Sequence, residues 1–325
     1  LPPAFFACEQ LKPVWRRLAK NAVVRRTSHN TPEEIAPDLA WAEAILMWSW
    51  PVLTDEQVAR APQLRFVGYI NSTQTAARAL FTRRVAVSEA RTGWSPAVAE
   101  MALTLILTGL RKVSEYHAQM RAGTEPWVDA FPTDIDPHER QLTGRRVGIV
   151  GFGRIGQRLA ELLVPFQVTL RAYDPFLPKA VAARYGAQLC SLPVLLRSSE
   201  VLVMCAANNK GSDHLVGARE IALIKPHSVL VNVGRASLLD MEALEKRIKK
   251  GDLIALLDVF EKEPLEKDAP LRRLPNTYLT PHRAGGVMES VVRIMTMLAD
   301  DLEACFNKKP RRYALTEQML ASLPD

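Results

Sequence analysis

The chain has 325 residues, 48% hydrophobic and 24% charged, which suits a globular protein with ample core and room for two domains. Four widely spaced cysteines (Cys8, Cys190, Cys205, Cys305) include no CxxC pair, so neither a disulfide framework nor a zinc knuckle is indicated and a reducing cytoplasm is the expected setting. The formal charge of +7, from 42 basic and 35 acidic side chains, comes in short clusters without interleaved aromatic residues, so no nucleic-acid partner is expected and attraction of small anions accounts for the excess.

The opening LPPAFFACEQLKP lacks a basic segment followed by a long apolar run and does not read as a signal peptide. The chain starts without Met and its first strand looks clipped, so part of the N-terminus is read as absent. Apolar runs at 23–24, 44–48, 64–70 and 85–87 alternate with helical patterns such as TPEEIAPDLA and LTDEQVARA, which points to a parallel sheet covered by helices. Thr54 followed by Gln57 resembles a capping box. SPAVAEMALTLILTGLRKVSEYHAQMRAG reads as one long helix, with Ser95 as cap and Pro96 in the first position. Its apolar stretch at 101–107 is too short to span a bilayer, and no membrane partner is expected. The polar, proline-containing segment that follows reads as a surface excursion.

A second alternating unit begins at Arg146. Its expected strands are 147–150, 168–173, 201–204, 228–232 and 253–259, with a short one near 278–279. Helices are expected at 154–163 and 240–249, and a helix at about 286–303 returns the chain to the first domain. The first domain is therefore split in sequence (1–98 and 286–325), and the second is continuous (99–285).

VGIVGFGRIGQR, at 147–158, sets the three glycines of GFGRIG directly after an apolar run, in a strand-turn-helix context. Gly151 permits the sharp turn, Gly153 removes a side chain that blocks a pyrophosphate, and Gly156 lets the helix pack closely on the strands. N–H groups at the helix start then meet phosphate oxygens, and Arg154 can reach them from the same turn. Asp174 lies 18 residues beyond Gly156 at the end of the next apolar run. A carboxylate there accepts both ribose hydroxyls of an adenosine and repels a 2′-phosphate, which points to NAD over NADP.

Three further stretches follow strands of the second unit and carry reactive groups. NVGRA places Arg235 at a strand's carboxyl end, where its fork suits a carboxylate. LDVFEKEP offers Asp258, Glu261 and Glu263, and TPHRAGG places His282 between a strand end and a glycine pair. A catalytic histidine needs exposure and a carboxylate to hold its tautomer. No HExxH, clustered cysteines or calcium loop occurs, so no metal site is expected. A G-x-S-x-G turn is missing too.

GFGRIG with Asp174, NVGRASLLD, LDVFEKEP and TPHRAG, in this order, resemble the D-isomer-specific 2-hydroxyacid dehydrogenases over nearly the whole chain. The resemblance implies an α/β fold of two Rossmann-like domains with parallel sheets flanked by helices, the NAD-binding domain inserted into the substrate (catalytic) domain, and a homodimer. It implies NAD as cofactor and a small 2-hydroxy or 2-oxo acid as substrate. It further implies Arg235, Glu263 and His282 as catalytic residues, Glu263 favouring the protonated imidazole that donates to the 2-oxo group. The cofactor set becomes Gly151, Gly153, Arg154, Ile155, Gly156, Asp174, Cys205, Gly234 and Asp258.

Two stretches depart from the family pattern. The family's glycine-rich carboxylate loop, G-x-G-x-D, corresponds to residues 68–73, where only the first glycine survives and the acid becomes Ser72. Gly68, Tyr69, Ile70 and Arg235 are the expected substrate contacts, with Trp48, Trp50 and Tyr69 as candidates to line the mouth of the cleft. The family's proline-leucine-threonine run becomes Cys205-Ala206-Ala207-Asn208-Asn209, where Asn208 replaces a hydroxyl donor or caps a turn. The atypical 68–73 loop keeps a second reading open, an NAD-binding interaction protein resembling the corepressors built on this fold, with little or no turnover.

Overall fold

A computed structural model describes residues 1–207, 211–320 and 323. The chain forms two compact units, Leu1–Trp94 with Gly286–Asp325 and, inserted between them in sequence, Ser95–Gly285. The partition falls at the first residue of a helix, which keeps that helix whole, and not inside it at residue 98.

The first unit holds a parallel sheet in the order β1-β2-β3, made of β1 (Ala44–Met47), β2 (Phe66–Tyr69) and β3 (Ala86–Glu89). Residues 23–24 add no strand, and Val23 is largely exposed. One face of this sheet carries Val67, Tyr69 and Val87 into a core with Leu80 and Leu53. On a second core, the Met288–Phe306 helix packs Ile294, Met295 and Leu298 against Leu11, Trp15 and Ile70. The expected capping box forms, Thr54 and Gln57 bonding reciprocally at the start of Asp55–Ala59.

The second unit holds seven parallel strands: β4 (Arg146–Val150), β5 (Thr169–Tyr173), β6 (Gln188–Leu189), β7 (Val201–Met204), β8 (Ser228–Asn232), β9 (Leu253–Leu257) and β10 (Thr277–Leu279). Their order is β10-β9-β8-β7-β4-β5-β6. β7, β8 and β9 are buried along their whole length, which is why they read as unbroken apolar runs. β6, two residues long, leaves no such mark in the sequence. Chain order reverses direction across the sheet between β4 and β7, and such a switch point opens a crevice at the carboxyl edge.

The single long helix expected from Ser95 is two helices, Ser95–Arg111 and Val113–Ala122. Lys112 between them has φ 48, in the left-handed region, which interrupts the ladder. The helical stretch Arg91–Arg111 has 21 residues and a mean hydropathy of 1.2, so by length and composition it could cross a membrane, unlike its central apolar run alone. Half of that window is buried. A Cβ at Gly109 would meet Leu256 Cδ1 at 2.6 Å and Val229 Cγ1 at 3.1 Å, so this helix lies hard against β8 and β9, as a core helix does.

Candidate active site

The glycine turn joins β4 to the Arg154–Leu163 helix. Gly151 has φ 85, and a Cβ there would lie 2.4 Å from the Ala206 backbone, so only glycine fits. A Cβ at Gly156 would lie 2.7 Å from the Gly151 carbonyl, which sets how closely helix and strand approach. Gly153 differs, because a Cβ there would meet nothing within 4 Å. The helix has no side-chain cap, so its first-turn N–H groups face that open space. A dinucleotide's pyrophosphate fits this arrangement of free donors and vacant volume. Arg154 is exposed and Ile155 half-buried in the same turn.

Asp174, directly after β5, reaches back to this turn. Its Oδ2 accepts the Phe152 N–H at 2.9 Å and its Oδ1 the Phe176 N–H at 3.0 Å. The carboxylate is half-buried, and each oxygen keeps a lone pair for a hydroxyl donor. Cys205 continues β7, its N–H bonded to the Val150 carbonyl, and burial pushes its thiol up to about 12. Gly234 lies where a Cβ would meet Leu238 Cδ1 at 3.0 Å and the Ala206 carbonyl at 3.1 Å. Asn208 lies outside the described residues, together with Asn209 and Lys210.

Arg235, Glu263 and His282 follow β8, β9 and β10, three neighbouring strands whose carboxyl ends share one edge. His282 Nδ1 is 2.6 Å from Glu263 Oε2. Glu263 Oε1 accepts the Phe260 N–H at 3.0 Å, so both carboxylate oxygens are held. Burial pushes the Glu263 carboxyl up, but the bonds from His282 and Phe260 and the charges of His282 and Arg235 outweigh it and hold it below its usual range. With Glu263 ionised, Nδ1 is the ring nitrogen that donates, which leaves Nε2 outside this bond. Glu261, the other acid of this stretch, is exposed. It lines an open cavity of about 330 Å³ with Asp213, His214, Arg235, Ser237 and Phe260.

Asp258 is fully buried at the end of β9. Its Oδ1 accepts the Thr280 hydroxyl at 2.5 Å and the Arg283 N–H at 2.9 Å, and its Oδ2 accepts the Ala284 N–H at 2.8 Å. These bonds pin both sides of His282, which itself sits at φ 52. Asn232 does the same for Arg235, its amide donating to the Arg235 carbonyl at 2.9 Å and accepting the Gly234 N–H at 3.0 Å. Sequence reading assigned Asn232 no part. The available signal was a buried amide ending the otherwise apolar strand SVLVN.

In the first unit the expected contacts Gly68, Tyr69 and Ile70 lie in β2 and directly after it. Gly68 and Tyr69 belong to β2, and Tyr69 is fully buried with its hydroxyl bonded to the Ala76 carbonyl at 2.8 Å. Ile70 is fully buried and spends its N–H on the Met47 carbonyl at 2.9 Å. Parallel pairing with β1 therefore extends through Ile70 and withdraws these side chains from solvent, so Tyr69 lines no opening. Beyond them, the Ser72 N–H is held by Glu89 Oε1 at 3.0 Å, and Arg91 pairs with Glu89 at 2.8 Å.

Residues 103–284 match the family described as D-isomer specific 2-hydroxyacid dehydrogenase, NAD binding domain. The chain is 28% identical over 294 residues to a D-3-phosphoglycerate dehydrogenase of Methanocaldococcus jannaschii, covering 89% of this chain and 54% of that one. It thus spans about half the length of that relative. A glyoxylate reductase of Aeropyrum pernix is 33% identical over 268 residues, 78% of each chain. The crystal structure of a phosphoglycerate oxidoreductase from Rhizobium etli shares the fold, with a TM-score of 0.81 and 25% identity over 94% of this chain and 92% of that one. On the match to more than half its residues, the chain belongs to the D-isomer-specific 2-hydroxyacid dehydrogenase family.

Proposed function

We propose that this protein is an NAD-dependent oxidoreductase that interconverts a D-2-hydroxy acid and its 2-oxo acid. The observation that carries this reading is the 2.6 Å contact of His282 Nδ1 with Glu263, at the same sheet edge as Arg235. Gly151, Gly153, Arg154, Ile155, Gly156 and Asp174 would hold the cofactor, whose nicotinamide when bound supplies or accepts hydride at the substrate's C2. Arg235 binds the substrate carboxylate and polarises the carbonyl. His282 gives its Nε2 proton to the 2-oxo oxygen in reduction and recovers it in oxidation. Glu263 stabilises the positive ring that reduction starts from. Asp258 and Asn232 hold the two loops in register, the unit of residues 95–285 serving as the NAD-binding domain and the other as the substrate domain.

We further propose a cytoplasmic homodimer. The free cysteines Cys8, Cys190, Cys205 and Cys305 accord with a reducing compartment. Val113, Met120, Trp127, Val128 and Phe131 are exposed apolar side chains along the Val113–Ala122 helix and the excursion after it, a surface suited to a second copy.

Turnover is the test. Purified protein with NADH should reduce at least one acid of a panel of 2-oxo acids, and His282→Gln should lower kcat roughly 10²–10⁴-fold while NADH binding persists. Binding of NADH without reduction of any acid favours the corepressor-like interaction protein instead.

A further inference from the structure

At the amino edge of the seven-stranded sheet, opposite the edge that carries Arg235, Glu263 and His282, positive charge collects without matching acids. His227 directly precedes β8, and Arg146 opens β4. Against this edge lie His138 and Arg140, from the segment that follows the Val113–Ala122 helix. The rings of His138 and His227 stack with centroids 4.3 Å apart and planes inclined by 22°, and both residues are exposed. Arg140 Nη2 donates to the His227 carbonyl, and the Arg140 backbone N–H donates to the Leu110 carbonyl at 2.9 Å, so the guanidinium is held beside His227.

The acids of this region are already engaged. Glu200, just before β7, meets Arg145 through Oε1 at 3.0 Å and Arg146 through Oε2 at 3.6 Å. Asp252 meets Arg247 at 2.9 Å, Asp136 meets Lys112 at 2.5 Å and Glu139 meets Arg111 at 2.8 Å. Arg140 makes no ion pair among the described residues, and neither its Nε nor its Nη1 has an acceptor there. The Nε is buried, and burial together with the charge of Arg145 pushes this guanidinium down. A half-buried guanidinium with two nitrogens unbonded is unfavourable, and an anion that accepts from it relieves the penalty.

We propose that Arg140, His138 and His227, aided by the charge of Arg145, bind a tetrahedral oxyanion: free sulfate or phosphate, or the phosphate group of a larger ester. The guanidinium is a planar fork of donors, and each ring adds one N–H when neutral and two when protonated. The site lies within the Ser95–Gly285 unit and stands whether or not that unit serves hydride transfer.

Calorimetric titration of the full chain with sodium sulfate, at constant ionic strength, is the test. Sulfate keeps its charge between about pH 6 and about pH 8, the range over which histidines gain theirs, so a change in affinity reports the rings. Asp136, Glu139 and Asp252 are each paired already, which leaves the gained charge to the ligand. Binding should be about fivefold or more tighter at the lower pH, and Arg140→Gln should weaken it about tenfold or more. His138→Asn should flatten the pH dependence, and it decides the matter if Arg140→Gln does not fold. Arg235→Gln, at the opposite edge, should leave sulfate affinity unchanged. Inorganic phosphate and glycerol 3-phosphate distinguish the sources, the tighter of the two naming the ligand as free oxyanion or ester. Absence of sulfate binding, equal affinity at both pH values, affinity unmoved by Arg140→Gln, or loss of binding in Arg235→Gln overturns the site.

Discussion

The carboxyl edge of the seven-stranded sheet is lined by polar groups already engaged with one another, whereas that of the three-stranded sheet is lined by the rings of Trp48, Trp50 and Trp94, left partly in water. On the first, Asp258, Asn232 and Glu263 spend their oxygens and amides on backbone N–H groups and on His282, so each reactive side chain stands on a loop with few alternatives. On the second, polar definition comes from Asn71 and from the Glu89–Arg91 pair with Ser72.

The contrast breaks most visibly at Asp258. Asp258→Ala leaves three donors without their acceptor, the Ala284 N–H among them buried, and should cost roughly 2 kcal/mol or more, read as a lower midpoint in urea, with loss of turnover even where the chain still folds. Wild-type stability in that variant would mean that water or a shifted loop replaces the carboxylate.

A pair of glycine substitutions separates fold from binding at the cofactor turn after β4. Gly151→Ala forces a Cβ into the Ala206 backbone at positive φ and should destabilise the protein by about 1–3 kcal/mol, whereas Gly153→Ala should leave the melting temperature unchanged and weaken only NADH binding. NADH affinity unaltered by Gly153→Ala would remove the pyrophosphate from this turn.

Glu263 sharpens the comparison through pH. Its carboxyl lies below the ordinary range, so the folded protein binds its proton more weakly than the unfolded chain does. The stabilisation is present above the ordinary value of about 4.3 and is lost as pH falls through the lower folded one. At neutral pH the charge is therefore complete, and Glu263→Gln should move the alkaline limb of the reduction profile to lower pH. An unmoved limb would assign that limb to another group.

The smallest effect belongs to Tyr69. Tyr69→Phe removes one buried hydrogen bond and should cost about 1 kcal/mol in thermal unfolding, with KM unchanged for every acid that is turned over. A raised KM would return Tyr69 to the substrate site.

Much of the second unit was legible because its central strands β7, β8 and β9 are buried along their whole length and one of its helices starts on a side-chain cap. Asp240 accepts the Ala243 N–H at 2.9 Å at the start of Met241–Lys249, the place where sequence reading began that helix. The order of glycines, arginine, acids and histidine was legible too, since each follows a strand end. Less so was the first unit, where a strand-end residue points inward or outward according to where pairing stops. β2 pairs through Tyr69 and hands Ile70 to the core, so the apparent loop begins two residues later than its motif suggested. Nor did periodicity reveal the break at Lys112, because a single left-handed residue leaves the pattern on either side intact.

By itself, the sequence determined the alternating α/β order, the insertion of one unit into another and the glycine turn, because local periodicity and backbone freedom encode these. Only the tertiary structure decided that Asp258 is spent on the loop around His282, that Asn232 braces Arg235, and that Tyr69 is core while Trp50 is not. Those outcomes depend on strand order and on where each ladder ends, which are set by contacts between residues far apart in the chain.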